Sequence, residues 1–226
     1  MTTLNGSVVL VLGASGGLGA RIAEQLADAG ATVIRAARNP DTLSGPDAFL
    51  ADLVDDQAAA SVVAAAIQAH GHIDGVVVAA GAVAFGPIGD LADETLRDLF
   101  AVNTLAPIRL IREALPHLAE SAAEKREPFV VTISGVVAEA PTAGLAAYSA
   151  SKAGLAGFMK AAARELRRAG IRMLDARPGH TETGLVTRAI AGTAPAFPTG
   201  LDPDEVAERI VRAIADGEKD LPSSSF

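Results

Sequence analysis

The sequence predicts an α/β domain built as one doubly wound parallel sheet with helices on both faces. Three observations predict it. Short apolar runs rich in β-branched residues alternate with longer amphipathic segments, the pattern of successive βαβ units. A glycine cluster, Gly13-Ala14-Ser15-Gly16-Gly17-Leu18-Gly19, lies between the first apolar run and the first helical segment. Half of the 226 residues are hydrophobic and only 4% are aromatic, a small-residue core that suits helices lying close on a buried sheet. That length fills one well-buried domain and is short for two, so residues 1–226 are read as a single domain.

The elements follow in order. Val8 to Leu12 is the first strand, and a helix runs from the glycine cluster to Ala29, stopped by Gly30. Thr32 to Ala36 and Ala48 to Ala51 are the second and third strands, and Gln57 to Ala69 is a helix ending at His70-Gly71. Gly75 to Ala80 is a buried strand, and Ala92 to about Ala119 is helical with an interruption at Pro107. Phe129 to Ser134, the helix Ser149 to Arg168 and Ile171 to Ala176 complete the alternation. Ala191 to Pro203 holds too many Pro and Gly for regular structure. Residues 184–203 are therefore read as a substrate lid, with an ordinary surface connection as the alternative. Asp204 to Asp216 is a last helix, after which no full-length final strand is evident.

Bulk composition excludes several roles. A net charge of -8 gives no electrostatic footing for nucleic acid or an anionic membrane surface. No cysteine is present, so there are no disulfides or thiolate metal sites, and the four histidines show no metal-ligand spacing. No apolar run approaches membrane-spanning length and no targeting pattern precedes Val8. The expectation is a cytoplasmic protein without a metal.

The glycine cluster has a definite chemical use. Glycines allow a sharp turn and let phosphate approach the main chain, while the following helix points free N–H groups and its positive dipole end at a pyrophosphate. Gly13, Ser15, Gly17, Leu18 and Gly19 are therefore candidate cofactor contacts in a Rossmann-type βαβ unit. At the end of the second strand an acidic residue would grip ribose hydroxyls and select NAD. Val33-Ile34-Arg35-Ala36-Ala37-Arg38 contains none, and Arg38 can pair with a 2′-phosphate. The prediction is NADP(H). Asp52 and Leu53 follow the third strand on the adenine side, with N-capping of the next helix as the competing use of Asp52.

Tyr148-Ser149-Ala150-Ser151-Lys152 contains the only tyrosine in the chain, four residues before a lysine. Side chains at that spacing share one helix face. A positive charge about 5 Å away, at an effective dielectric near 20, favours phenolate by roughly 3 kcal/mol. That is on the order of two pH units, which brings a phenol towards the range of acid/base work.

At this point the chain resembles the short-chain dehydrogenases/reductases, from about Leu4 to Thr183. Gly13, Gly17 and Gly19 match that family's cofactor turn, Asn103 its helix asparagine, and Tyr148 and Lys152 its YxxxK pair. Pro178-Gly179-His180-Thr181-Glu182-Thr183 looks like its nicotinamide-side PGxxxT segment. The resemblance implies that Tyr148 is the acid/base, that Lys152 also binds the nicotinamide ribose, and that Ser134 orients the substrate oxygen. It also implies cofactor contacts from Ala80, Gly81, Pro178, Gly179, Thr181 and Thr183, a small carbonyl or alcohol substrate, and a homodimer or homotetramer. The Ala/Gly-rich face of the helix from Ala150 to Gly157 fits a subunit contact, or close packing within one subunit. Asn103 carries an argument of its own: Pro107, four residues on, has no N–H for its carbonyl, so a helix there bends and leaves that carbonyl free.

Two departures stand out. The family's serine lies thirteen residues before its tyrosine, and that position here is Gly135, with Ser134 one residue earlier. Either the loop is one residue longer and Ser134 serves, or the orienting hydroxyl is missing and another donor such as Thr142 acts. Val78-Ala79-Ala80-Gly81 also lacks the family's asparagines, although Ala80 and Gly81 still present backbone. The reading is an NADP(H)-dependent oxidoreductase interconverting a carbonyl compound and a secondary alcohol. A weak or inactive NADP(H)-binding regulator is the alternative, and an epimerase or dehydratase on the same fold a more distant one.

Overall fold

The computed structural model describes residues 2–38, 43, 45, 47–52 and 54–226. Six strands form one sheet: β1 (Val8–Leu12), β2 (Thr32–Ala37), β3 (Ala48–Leu50), β4 (Gly75–Val78), β5 (Phe129–Ile133) and β6 (Arg172–Ala176). Their spatial order is β3-β2-β1-β4-β5-β6 and every pairing is parallel. Chain order reverses between β1 and β4, which opens a crevice at the carboxyl edge of the sheet.

Helices cover both faces because β1 is apolar and buried at every position. Val8, Leu10 and Leu12 face one layer, formed by α2 (Ala58–His70), α4 (Ala106–Ala123) and α5 (Ala146–Leu166). Val9 and Val11 face the other, formed by α1 (Gly17–Asp28) and α6 (Pro203–Asp216). The period-2 alternation thus feeds two cores from one strand.

The predicted interruption at Pro107 is present in a specific form. A short helix α3 (Asp93–Phe100) runs into a π-helical segment, Ala101–Leu105, before α4 begins with Pro107 in its first turn. The Ala106 N–H bonds back to the Ala101 carbonyl, one residue further than α-helical spacing. Asp202 caps α6 by accepting from the N–H groups of Asp204 and Glu205 at 2.7 and 3.2 Å. After α6 the chain makes only a single parallel bridge, Leu221 to Ala176, where a seventh strand would lie. Among the described residues, no helix is long and apolar enough to cross a membrane.

Candidate active site

The glycine turn sits at the carboxyl edge, where the sheet order reverses. Gly13 and Ala14 N–H groups bond to the Ala36 carbonyl at 2.8 and 3.2 Å, tying the turn to the end of β2. A β-carbon on Gly13, whose φ is +83°, would lie 2.5 Å from the Ala80 backbone nitrogen, and one on Gly19 would lie 2.2 Å from the Gly13 carbonyl oxygen. Both positions therefore exclude a side chain through backbone contact. Helix α1 starts at Gly17 with no side-chain cap and no acidic residue in its first turn, so its N–H groups are open to an anion. Ser15 is half-buried in the turn, and the Leu18 side chain packs into the α1–α6 core. Thr183 comes over the turn from the other side: a Gly17 β-carbon would meet its carbonyl oxygen at 2.7 Å.

Beyond the end of β2, Arg38 is exposed. Arg35 is half-buried, its guanidinium reaching Gly45. Asp52 does not cap α2, which begins six residues later; its carboxylate accepts from the Val54 N–H at 3.1 Å and closes a turn. Leu53 lies outside the described residues. Pro178 is buried, and its carbonyl accepts from the Val136 N–H at 2.9 Å. Thr181 donates to the Gly179 carbonyl at 3.0 Å and forms a bridge with Leu201.

Asn103, Tyr148 and Lys152 come together on the same edge, across from the glycine turn. The fully buried Asn103 side chain clamps the loop after β4, accepting from Ala82 N–H and donating to the Ala82 carbonyl, both at 2.9 Å. It also donates to Ser151 Oγ at 3.0 Å, and Ser151 in turn donates to the Tyr148 carbonyl at 2.8 Å. A β-carbon on Gly81 would lie 3.3 Å from both Asn103 Oδ1 and Lys152 Nζ, so Gly81, Asn103 and Lys152 meet at one point. Lys152 Nζ donates to the Ile133 carbonyl at 2.8 Å, at the end of β5. Ser151, the link between asparagine and tyrosine, was not singled out from sequence; only its place between Tyr148 and Lys152 hinted at it.

Burial sets the charge states, and it corrects the expectation for Tyr148. The phenol is pushed up to about 12 by desolvation, where the lysine alone led us to expect a fall. The reason is an apolar cluster of Val83, Phe85 and Leu145, joined by Val137, Leu185, Val186, Ala189 and Ala194, against which the ring packs. Lys152 is lowered to about 8, again chiefly by desolvation, with Asp175 acting in the opposite direction.

Ser134 is not where its expected role requires. It is fully buried, and its Oγ donates at 2.6 Å to Asp175 Oδ2 on β6. Thr132, two residues earlier on the same face of β5, donates to the other oxygen of Asp175 at 2.7 Å. The hydroxyl's one proton is thus spent beneath the site. Gly135, at the spacing where the serine was expected, adopts φ +77°. Thr142, the alternative donor, is exposed and bonds weakly to the Ala140 carbonyl at 3.3 Å.

Segment 184–203 is tied down at both ends. Ile190 N–H bonds to Val83 O and Phe85 N–H to Ala191 O, both at 2.9 Å, and Leu201 N–H bonds to His180 O at 2.7 Å. The His180 ring stacks on Phe197 with centroids 4.9 Å apart. Phe85 and Leu145 also line a cavity of about 240 Å³ with Pro87, Ile88, Leu91 and Ala191. On α5, Ala150, Ala153, Gly154 and Gly157 are exposed, so this small-residue face does not pack on the sheet of its own chain.

Comparison with known proteins converges on one family. The family model described as short chain dehydrogenase matches residues 7–193. The 3-oxoacyl-(acyl-carrier-protein) reductase FabG of Escherichia coli is 34% identical over 194 residues, covering 82% of this chain and 78% of that protein. A short-chain dehydrogenase structure from Streptomyces avermitilis superposes with a TM-score of 0.85 at 31% identity, covering 96% of this chain and 88% of the other. The 3-ketoacyl-(acyl-carrier-protein) reductase of Brucella melitensis, solved with NADH, shares the fold with a TM-score of 0.86 at 24% identity, over 99% and 100% of the two chains.

Proposed function

The chain belongs to the short chain dehydrogenase family of oxidoreductases, and on that premise we propose that it uses NADP(H) to interconvert a carbonyl compound and a secondary alcohol, with Tyr148 as acid/base. The observation that carries the reading is the meeting of Gly81, Asn103 and Lys152 beside Tyr148 at the carboxyl edge, across from an uncapped helix N-terminus. The residues fit a dinucleotide: Gly13 and Gly19 leave backbone bare where a β-carbon would collide, and α1 offers open N–H groups to the pyrophosphate. Ser15, Gly17 and Leu18 belong to that cradle, and Ala80, Gly81, Pro178, Gly179, Thr181 and Thr183 to the nicotinamide side. Arg38, exposed past β2 at the end of the acid-free run Val33 to Arg38, would pair with a 2′-phosphate, and Asp52 would serve the adenine.

A nicotinamide held beside Gly81, Lys152 and the Pro178–Thr183 segment would supply or accept the hydride at the substrate carbon. The chain's own part is the proton. Tyr148, near 12, carries its proton at neutral pH, the form a general acid needs. As the carbonyl oxygen gathers the electron pair of its π bond, Tyr148 gives it that proton. Lys152, near 8, is mostly ammonium at neutral pH, and its charge one helical turn on stabilises the phenolate left behind. Asn103 holds Ala82 and Ser151, and so fixes the loop and helix that bring the two together.

The apolar walls of Phe85, Leu145 and Leu185 suit a substrate with an apolar body, and segment 184–203 acts as the lid over it. The exposed small-residue face of α5 supports a homodimer or homotetramer, in a cytoplasmic setting. One observation favours the second reading, a nucleotide-binding regulator: the Ser134 hydroxyl is bonded to Asp175, and position 135 is glycine. The two separate in one experiment. Tyr148→Phe should bind NADPH with unchanged affinity by fluorescence titration and lose at least a hundredfold in turnover across a carbonyl panel. Unchanged turnover removes the acid/base role, and binding without turnover by the unaltered protein selects the regulator.

A further inference from the structure

A group of buried charges lies directly beneath the acid/base residues and has no part in the mechanism above. Asp175, 5% exposed on β6, accepts from Thr132, from Ser134 and from Arg177 Nη1 at 3.2 Å. Arg177, also buried, reaches outward to Glu139 through Nε and to Asp220 through Nη2 at 2.7 Å. Glu139 accepts from the Ser223 N–H, so the network joins the strand ends to the C-terminal segment.

Its position relative to Lys152 is specific. Lys152 Nζ is bonded to the carbonyl of Ile133, and the next residue, Ser134, is bonded to Asp175. The elements around the ammonium present few charges: Tyr148 comes from its own helix, neutral Asn103 from the π-helical segment and Gly81 from the loop after β4, while Asp175 lies on β6 and Arg177 just past it. Glu139 and Asp220 lie beyond Arg177. A buried ammonium bonded only to one neutral carbonyl needs a nearby negative charge, since desolvation acts against its charged form.

We propose that Asp175 is the counter-charge of Lys152, a positioning residue that keeps the lysine protonated for its work with Tyr148. The direction of its influence agrees: Asp175 raises the Lys152 pKa while burial lowers it. Arg177 shares the same carboxylate and so weakens its hold on the lysine. This inference rests on the acid/base reading of Lys152 given above.

The chain has four lysines, Lys125, Lys152, Lys160 and Lys219, so Lys152 can be titrated directly by NMR in protein carrying ¹³Cε-lysine, without any turnover. Asp175→Asn keeps the shape and removes the charge, and should move the Lys152 midpoint down by roughly half to one pH unit. The alkaline limb of NADPH-dependent carbonyl reduction should move with it. Ser134→Ala, which leaves the charge in place, should move neither and should keep turnover within about threefold; a hundredfold loss would return Ser134 to the substrate oxygen. An unmoved Lys152 midpoint in folded Asp175→Asn overturns the proposal. Should Asp175→Asn not fold, Arg177→Gln decides, since removing the competing cation should move the midpoint up and no movement refutes the pairing. A shifted midpoint in a protein that reduces no carbonyl upholds the counter-charge and rejects the catalytic reading, so the two failures are distinct.

Discussion

Replacing Lys152 by Met should abolish turnover and make the protein more stable. The ammonium is 5% exposed and has one hydrogen bond, to the Ile133 carbonyl at 2.8 Å. Burial holds it at about 8 against a usual 10.5. At about 1.36 kcal/mol per pH unit, that difference is roughly 3 kcal/mol against the folded state at pH 7. Between pH 8 and 10.5 the unfolded chain binds more protons than the folded one, so stability rises with pH there. The penalty is complete below 8 and gone above 10.5. Methionine has a similar reach and no charge, so it removes the penalty and gives up one hydrogen bond, about 1 kcal/mol. Asp175 is not stranded, because Arg177 remains on it. The net gain of about 2 kcal/mol corresponds to a Tm higher by about 4–8 °C in a chain of this size. Thermal melts of both proteins at pH 7 and pH 10 measure it, with the gain shrinking at the higher pH. A Tm at or below that of the unaltered protein at pH 7, or a difference independent of pH, refutes the claim that burial strains this lysine.

Three further outcomes are expected. Arg38→Ala should raise the KM for NADPH about tenfold or more and leave that for NADH unchanged, since a charge-assisted contact contributes about 1.5–3 kcal/mol; equal effects on both cofactors in steady-state assays count against 2′-phosphate recognition. Gly19→Ala places a β-carbon 2.2 Å from the Gly13 carbonyl oxygen, so NADPH affinity by fluorescence titration should fall at least tenfold, and retained affinity contradicts the cradle. Pro107→Ala restores an N–H to the first turn of α4 and should close the π-helical segment. Turnover should fall severalfold with the NADPH dissociation constant unchanged, and an unaltered rate removes the link between the kink and Asn103.

The sheet was legible because both of its faces are covered: β1 and β4 read as unbroken apolar runs and β5 as an apolar run broken only by Thr132, bounded by glycine turns or helix patterns. Pro107 marked the helix break for a reason visible in one residue, its missing N–H. Ser134 shows the limit. Period-2 alternation places it on the same face as Thr132, yet what that face meets is decided by the register of β5 on β6, which sets Thr132 beside Asp175. Nothing local announces that pairing. The Tyr148 environment was hidden for the same reason: Val83, Leu145 and Leu185 come from three distant segments and together outweigh the lysine that the spacing revealed.

The two corrections belong together. With the Ser134 hydroxyl bonded to Asp175 and glycine at 135, the proposed acid/base role of Tyr148 depends on its holding a proton until needed. Its phenol, pushed up to about 12 by burial, carries its proton at neutral pH. Gly135 cannot readily regain the hydroxyl, because its φ of +77° disfavours any side chain although the space above it is open to 3.7 Å. The buried end of β5 thus turns the Ser134 hydroxyl to Asp175, while the apolar cluster of Val83, Phe85 and Leu145 raises the Tyr148 phenol.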